Sequence, residues 1–362
     1  MDRLFAAIDL GTTTVEASLL RPDGSVAAKH GFLNPQRKYG SDVISRITWA
    51  GRHPGSTELR DCVIHEIQNV LQTMLSWQGD SAGQGIGPAV VTGNATMTSL
   101  LLGHGVLTLG KAPFTLPYDH TEQMSIQGIP CTVPAAASAF LGSDAVGGAW
   151  ALPLEENELL MDLGTNGEMI LRHDRKLYGA SAACGPAFEN CTRSQGIYGT
   201  TTISALSGLI RKGKIRGDGI LPPEIAEEGV EEKGIRITSK VLHDIQLAVG
   251  AIYGTFSKLL RRAGIKAKDI RKIHLAGGFG FHLSLRDAVT IGLIPEILRD
   301  RIHVAGNTSL LAAEQMVTGG KTGLMGYDTF REEVMTLQFA GNPEYEEVFV
   351  RSMILQPRTE DM

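Results

Sequence analysis

The sequence places one carboxylate and three hydroxyls around a glycine, directly after a short apolar stretch. Residues 4–14 read LFAAIDLGTTT, so the chemically useful positions are Asp9, Gly11, Thr12, Thr13 and Thr14. A glycine at the end of a strand lets the backbone turn sharply, and the amides and hydroxyls after it can bind a phosphate. Asp9 itself does not attract phosphate, but it can hold Mg²⁺ or its water shell. Taken alone, the segment is either a phosphate-binding turn or an ordinary turn between two strands.

The same chemistry recurs near the middle of the chain. Residues 158–171 read ELLMDLGTNGEMIL, which repeats Asp-Leu-Gly-Thr and supplies Asp162, Gly164, Thr165 and Asn166. Two such turns, one in each half, can hold a triphosphate between them, with Asp9 and Asp162 both binding Mg²⁺ through water. The repeat therefore favours the phosphate-binding interpretation of both turns.

A third glycine-rich segment, Gly277-Gly278-Phe279-Gly280, follows an apolar stretch in the second half. Glycines at this spacing allow a flat purine or a ribose to lie against the backbone. Two common nucleotide motifs are absent from the sequence: no G-x-G-x-x-G follows the first predicted strand, and no G-x-x-x-x-G-K-[ST] occurs. The order of two phosphate turns and then a glycine-rich segment is the specific signal.

Apolar patterning predicts the elements that position these residues. It predicts three strands within 4–33, a helix over 59–75, three further strands within 158–183, a long helix over about 241–263, and strands at 270–280 and 301–315. A Gly-Asn pair follows a predicted strand twice, at 93–94 and at 306–307. The recurrence predicts a duplicated α/β unit with an internal repeat of about 150 residues.

Composition excludes several classes of protein. The 362 residues include 43 glycines and 15 prolines, and the formal net charge is −5, which disfavours a general nucleic-acid binder. No apolar run approaches 18 residues and no signal peptide is evident, so we expect a cytoplasmic protein without a membrane span. The four cysteines form no C-x-x-C pair, which favours reduced thiols. Cys184 and Cys191 leave two alternatives, bystander thiols or a metal or cluster shared across a dimer.

The order of these motifs resembles the superfamily of acetate and sugar kinases, heat-shock chaperones and actin. That resemblance implies two ribonuclease-H-like domains with ATP and Mg²⁺ in a cleft. It assigns the turn at Gly11, Thr12, Thr13 and Thr14 (the first turn) and the turn at Gly164, Thr165 and Asn166 (the second turn) to phosphate. It assigns Gly277, Gly278 and Phe279 to adenosine. It also implies that the turn at Gly306-Asn307-Thr308 is a connecting segment between the domains, with Asn307 near the nucleotide. We expect the domains at 1–150 and 151–325, followed by a C-terminal extension at 326–362.

Longer strings resemble one family within that superfamily, the ATP-dependent reductive activators of corrinoid proteins. The strings are NPQRKYGSDVISRI (34–47), GNATMTSLLLG (93–103), APFTLPY (112–118), DLGTNGE (162–168), CGPAFE (184–189), IQLAVGAIYGTFSKLLRRAGI (245–265), AGGFG (276–280) and GNTSLLAA (306–313). Within CGPAFE the resemblance implies that Gly185 contacts the nucleotide. Glu189 either orients the attacking water, touches the ribose, or has a structural role as a capping residue.

The resemblance to the activators implies an ATPase that helps to reduce an inactive cob(II)amide protein to cob(I)amide for methyl transfer. The partners implied are a corrinoid-binding methyl-carrier protein and, by resemblance, a second copy in a homodimer. Family members typically carry an iron–sulfur domain; because this sequence has no cysteine cluster, we expect no iron–sulfur cluster and a separate low-potential electron donor. Two alternatives remain open: a small-molecule kinase of the same fold, and a non-catalytic, nucleotide-switched assembly factor for a metalloprotein.

Overall fold

In the computed structural model, which describes residues 3–79, 85–164, 166–184, 199–226, 228–339 and 341–358, the chain divides into two units. Unit 1 contains Met1–Pro153 and Asn307–Thr336, and unit 2 contains Leu154–Gly306 and Leu337–Met362. Each unit is therefore built from two separate pieces of the chain. The segment from Asn307 groups with unit 1, although it follows unit 2 in the sequence.

Fourteen strands lie in the described residues. They are β1 (Leu4–Leu10), β2 (Thr14–Leu20), β3 (Val26–Leu33), β4 (Ile86–Gly93), β5 (Glu122–Ile126), β6 (Ile129–Val133), β7 (Glu158–Leu163), β8 (Gly167–His173), β9 (Lys176–Ala182), β10 (Val230–Glu232), β11 (Ile235–Ile237), β12 (Lys272–Ala276), β13 (Ile302–Gly306) and β14 (Val334–Leu337).

Ten α-helices accompany them. They are α1 (Val43–Arg52), α2 (Glu58–Ser76), α3 (Ala95–Leu102), α4 (Ser143–Ala151), α5 (Gly199–Arg211), α6 (Ser239–Ala263), α7 (Gly277–His282), α8 (Leu285–Thr290), α9 (Thr308–Glu333) and α10 (Pro343–Ser352). Helix α9 bends at Gly320, whose φ of 56° and ψ of −136° are not helical.

The two large sheets repeat one arrangement of strands. The first sheet has the order β3-β2-β1-β4-β6-β5, and the second has the order β13-β12-β7-β8-β9-β14. In each, three antiparallel strands (β1 to β3, β7 to β9) are followed by parallel neighbours (β4 and β6, β12 and β13). The predicted duplicated α/β fold with two ribonuclease-H-like domains is thus confirmed.

Apolar patterning explains why the central elements form. In β1 the side chains of Ala6, Ile8 and Leu10 are fully buried, as expected for a strand covered on its core face. Helix α2 buries Val63 and Ile67 on the face that packs against the first sheet, and the prediction of a helix over 59–75 is confirmed. The long helix predicted over 241–263 is also confirmed, as α6, which packs in the core of unit 2.

Two predicted strands are shorter than the sequence pattern suggested. The strand predicted at 270–280 ends at Ala276, because Gly277 takes a φ of 84° and begins α7. The strand predicted at 301–315 ends at Gly306, because the Asn307 side chain caps a helix by accepting from the Leu310 amide. In both places a strand passes directly into a helix at a glycine, which apolar periodicity does not detect.

The lengths and apolar character of the helices bear on membrane insertion. Among the residues that the structure describes, no helix combines the length and the hydropathy that crossing a bilayer requires.

Candidate functional site

Asp9 lies next to the end of β1, where two polar side chains from the start of α9 bind it. The Asn307 amide donates to Asp9 Oδ2 at 2.9 Å, and the Ser309 hydroxyl donates to Asp9 Oδ1 at 2.7 Å. Asn307 also caps α9, so the helix fixes both donors relative to the strand. Asp9 and Asn307, both predicted site residues, are therefore in direct contact within unit 1.

The surroundings of Asp9 shift its charge equilibrium. Burial raises the pKa of Asp9 to about 6, although the hydrogen bonds from Ser309 and Asn307 act in the opposite direction. Asp9 thus changes its charge near pH 6 instead of near pH 4. Perturbation of this kind, combined with specific partners, is typical of functional carboxylates.

Asp144, in the first turn of α4, is a second carboxylate that the sequence analysis did not identify. Burial raises the pKa of Asp144, and the negative charge of Asp9 raises it further, so the two carboxylates interact electrostatically. Its Oδ1 accepts from the Ala145 amide at 2.8 Å. The signal available in the sequence was Gly142-Ser143-Asp144, a helix start with an acid in the first turn.

The turn after Asp9 is held by side chains from three separate segments. The Asn94 amide donates to the Thr12 hydroxyl at 3.0 Å, while its carbonyl oxygen caps α3. Asn34 donates to the Gly11 carbonyl at 2.8 Å, and Arg46 donates to the Thr12 carbonyl at 2.6 Å. Of the two Gly-Asn pairs noted in the sequence, the pair at 93–94 therefore places an asparagine on this turn, and the pair at 306–307 places one on the Asp9 carboxylate just before it.

Glycine is required at the turn itself. A Cβ on Gly11 would lie 2.5 Å from the carbonyl oxygen of Thr14, closer than real side chains come. The predicted reason for Gly11, a sharp turn after a strand, agrees with this geometry. Thr13 and Thr14 complete the turn; the Thr13 carbonyl accepts from the Asn34 amide at 2.9 Å, and Thr14 begins β2.

The second turn lies in unit 2 between β7 and β8. Asp162 is near the end of β7 and pairs across the ladder with Glu168, and the Gly164 amide donates to the Asn166 carbonyl at 2.9 Å. Gly277 approaches so closely that a Cβ there would lie 2.5 Å from Asp162 Oδ1. Gly278 is exposed at the start of α7. The structure thus brings Asp162 together with the predicted adenosine segment.

Some predicted site residues lie outside the part of the chain that the structure describes. These are Thr165, Gly185 and Glu189, together with Cys191. Phe279 lies on α7 and is described through its backbone alone. The roles predicted for these residues stay predictions.

Comparison with family models covers nearly the whole chain. Residues 4–157 match the model described as the RACo middle region. Residues 156–205 and 190–362 match the model described as the C-terminal domain of RACo, the ASKHA domain.

Two curated proteins and one solved structure are similar to the chain. A protein of Eubacterium limosum named corrinoid activation enzyme RamQ is 29% identical over 83% of the chain. A protein of Methanosarcina barkeri named [Co(II) methylated amine-specific corrinoid protein] reductase is 28% identical over 51% of the chain. The structure named reductive activator for corrinoid, iron-sulfur protein superposes on 98% of the chain with a TM-score of 0.84 and 24% identity, which supports the fold.

The relatives are longer than this chain. The matched regions cover 62% of the Eubacterium limosum protein, 44% of the Methanosarcina barkeri protein and 66% of the solved structure's chain.

Proposed function

Because the chain belongs to the RACo family, we propose that it binds and hydrolyses ATP and helps to return an inactive cob(II)amide protein to the cob(I)amide state. The observation that carries the proposal is the first turn, where Asp9 is held by Asn307 and Ser309 beside a glycine-threonine loop. Such a loop supplies amide and hydroxyl donors, and the carboxylate beside it supplies the place for a cation. The names of the relatives support a corrinoid protein as the partner.

The residues present fit a magnesium ion. Mg²⁺ prefers oxygen ligands and is commonly bound through one or two carboxylates, with substrate phosphates and water as its other ligands. Asp9 and Asp144 provide such a pair in unit 1. Within the described ranges no group of three or more His, Cys, Asp and Glu side chains could hold a metal ion. Such a group is not needed where phosphate oxygens and water complete the coordination of Mg²⁺. When bound, Mg²⁺ neutralises phosphate charge during transfer to water.

The chain's own residues have defined tasks in this proposal. Ser309 and Asn307 donate to Asp9 and favour its ionised form, which is the form that binds a cation or its water. Thr12, Thr13 and Thr14 face the phosphates.

The second turn and the segment after it carry the remaining proposed contacts. Asp162 would bind Mg²⁺ through water. The other proposed contacts are Gly164, Thr165, Asn166 and Gly185 to phosphate or ribose, Gly277, Gly278 and Phe279 to adenosine, and Glu189 to the attacking water or the ribose.

The reduction and the hydrolysis are separate reactions. In the first, cob(II)amide accepts one electron from a separate low-potential donor and becomes cob(I)amide. In the second, ATP and water yield ADP and phosphate, so that nothing on the partner is phosphorylated. A tenfold shift in a one-electron equilibrium corresponds to about 59 mV, so modest differential binding of the two cobalt states changes the extent of reduction.

An anaerobic spectral assay tests the proposal. The protein is mixed with a cob(II)amide-loaded methyl-carrier protein, a low-potential reductant and Mg-ATP, and the cob(I)amide absorbance is followed. We expect growth of that band only with ATP and not with a non-hydrolysable analogue. Hydrolysis of ATP without cob(I)amide would overturn the corrinoid part of the proposal, and a phosphorylated metabolite in a substrate screen would identify a kinase instead.

The proposal includes a cytoplasmic homodimer. Light scattering tests the dimer directly, since a monomeric mass at micromolar concentration would contradict it.

A further inference from the structure

The interior of unit 1 contains an arginine whose position calls for an explanation. Arg46 lies on α1 and none of its surface is exposed, although arginine is among the residues least often fully buried. Burying a guanidinium is costly unless its donors are satisfied. The structure shows where these donors go: Nη2 to the Thr12 carbonyl at 2.6 Å, Nε to the Gly40 carbonyl at 3.0 Å, and Nη1 to Gln36 Oε1 at 3.2 Å.

Arg46 acts together with Asn34 on three successive carbonyls of the first turn. The Asn34 side chain donates to the Gly11 carbonyl at 2.8 Å, and the Asn34 backbone amide donates to the Thr13 carbonyl at 2.9 Å. The Thr12 carbonyl between them accepts from Arg46. Three consecutive carbonyls are thus directed toward the segment 34–46.

The direction of these carbonyls fixes the direction of the amides. In a planar trans peptide the N–H of the following residue points away from the carbonyl of the preceding one. When the carbonyls of Gly11, Thr12 and Thr13 point toward the segment 34–46, the amides that follow them point to the opposite side. Successive amides directed to one side form the concave arrangement that binds anions.

We propose that Arg46 is the positioning residue of the first turn, and that its guanidinium holds the Thr12 peptide in the orientation that binds the phosphates of the nucleotide. This inference rests on the proposed ATP site and adds to it a residue from another segment of the chain. Arg46 acts through the Thr12 carbonyl and does not itself contact the nucleotide. A neutral donor at this place would hold the peptide less firmly, because hydrogen bonds from a charged donor are stronger.

Arg60 provides a matched control. It lies on α2 in the same unit, and its Nε donates to the Leu101 carbonyl at 3.0 Å, at the end of α3 and away from the first turn. Arg46→Met and Arg60→Met each remove a guanidinium that bonds a backbone carbonyl, and only the first removes one from the turn. Arg46→Lys keeps the charge and loses the forked geometry.

The test is calorimetric titration of each purified variant with Mg-ATP and, separately, with adenosine. We expect Arg46→Met to weaken ATP binding about tenfold or more, equivalent to ~1.4 kcal/mol, with adenosine affinity unchanged within about twofold. Arg46→Lys should lie between Arg46→Met and the parent, and Arg60→Met should bind both ligands as the parent does. Adenosine has no phosphate, so unchanged adenosine affinity shows that the loss concerns phosphate contacts, and circular dichroism with a thermal melt of each variant shows whether unit 1, which contains Arg46, stays folded.

The outcomes distinguish this inference from the function on which it rests. A parent protein that does not bind ATP overturns the proposed function and this inference together. A parent that binds ATP, with Arg46→Met or Arg46→Lys binding it equally well, overturns the positioning role alone. Equal losses of affinity for ATP and for adenosine would show that Arg46 has a merely structural role, and this result would also overturn the positioning role. If Arg46→Met does not fold, the lysine variant decides by the same criteria.

Discussion

The two Asp-Leu-Gly-Thr turns share their sequence but differ in how the structure supports them. Around Asp9, side chains from distant segments bind both the carboxylate and the loop: Asn307 and Ser309 donate to the acid, and Asn34 and Arg46 donate to carbonyls of the turn. Around Asp162, Gly277 approaches closely, since a Cβ on Gly277 would meet both Asp162 Oδ1 and the Leu163 carbonyl at 2.5 Å.

This difference separates what a short motif encodes from what it does not. The shared four residues specify the strand ending and the tight turn in both units. The electrostatic properties of Asp9 come from elsewhere, because burial raises its pKa and side chains some 300 positions away in the chain lower it again. The first turn should therefore respond strongly to changes of hydrogen bonding by distant side chains, and the contact of Gly277 with the second turn should respond to added volume.

The largest expected effect is loss of ATP turnover when Asp9 is replaced. In Asp9→Ala the proposed Mg²⁺ site loses a carboxylate, and the donors of Asn307 and Ser309 lose their acceptor. We expect turnover to fall at least about 100-fold, equivalent to ~2.7 kcal/mol in the activation barrier, with the fold retained by circular dichroism. Asp119→Ala, at an exposed carboxylate of the same unit, should keep normal turnover.

The same measurement on Asp162→Ala extends the comparison. We expect a comparable loss, since Asp162 is the corresponding carboxylate of the second turn. Turnover within threefold of the parent in either variant would remove that aspartate from the proposed site.

The second prediction uses two adjacent glycines of unit 2. Gly277→Ala places a Cβ against Asp162 at a φ of 84°, where alanine is strained. We expect it to lower the free energy of unfolding by about 2 kcal/mol and to displace Asp162. Gly278→Ala meets no atom within 4 Å and should be within about 1 kcal/mol of the parent. Denaturant titration measures both, and equal midpoints would refute the role of close approach.

Much of the fold could be predicted because it depends on local patterns. The apolar stretch of β1, the apolar face of α2 and the length of α6 each follow from periodicity, and the repeat of Asp-Leu-Gly-Thr indicated two like units. The boundaries at Ala276 and Gly306 could not be predicted in this way. At both places one glycine changes the backbone from strand to helix while the apolar pattern continues.

The candidate site could be predicted only in part, because only some of its residues stand in short local motifs. Asp9 and Asn307 were recognised from their motifs, and the structure shows that they touch. Asp144, Ser309 and Arg46 were not recognised, because each depends on tertiary contacts and none stands in a short motif with a known chemical meaning. Arg46 lies inside a string, 34–47, that indicated the family without indicating what the arginine does.

The third prediction concerns the hydrogen bond from Ser309 to Asp9. The hydroxyl favours the ionised acid, so Ser309→Ala should raise the pKa of Asp9 further above its value of about 6. If the ionised form binds the cation, the acid limb of the kcat/KM profile moves to higher pH by about one unit. Activity then falls about fivefold near pH 6, approaches a tenfold loss at lower pH, and changes little near pH 8.

Thr318→Ala is the control for this profile. Thr318 lies on α9 and donates to the Glu314 carbonyl of its own helix, so its profile should match that of the parent. An unshifted acid limb in Ser309→Ala would mean that Asp9 ionisation does not limit turnover.

The smallest expected effect is a gain of stability, and it identifies the cost of placing two acids together. Burial, with the charge of Asp9, raises the pKa of Asp144 to about 7. An acid with a raised pKa contributes stability that is present below its unfolded value near 4 and is lost as the pH rises through about 7.

Asp144→Asn imitates the protonated acid and can still accept from the Ala145 amide. In nucleotide-free protein with chelator, it should therefore be more stable than the parent at pH 8 by about 1–2 kcal/mol, a gain of a few degrees in Tm, and equal to it at pH 4. Asp119→Asn should show no such pH dependence; a gain in Asp144→Asn that persists unchanged at pH 4 would mean that volume or packing, and not charge, separates the two proteins.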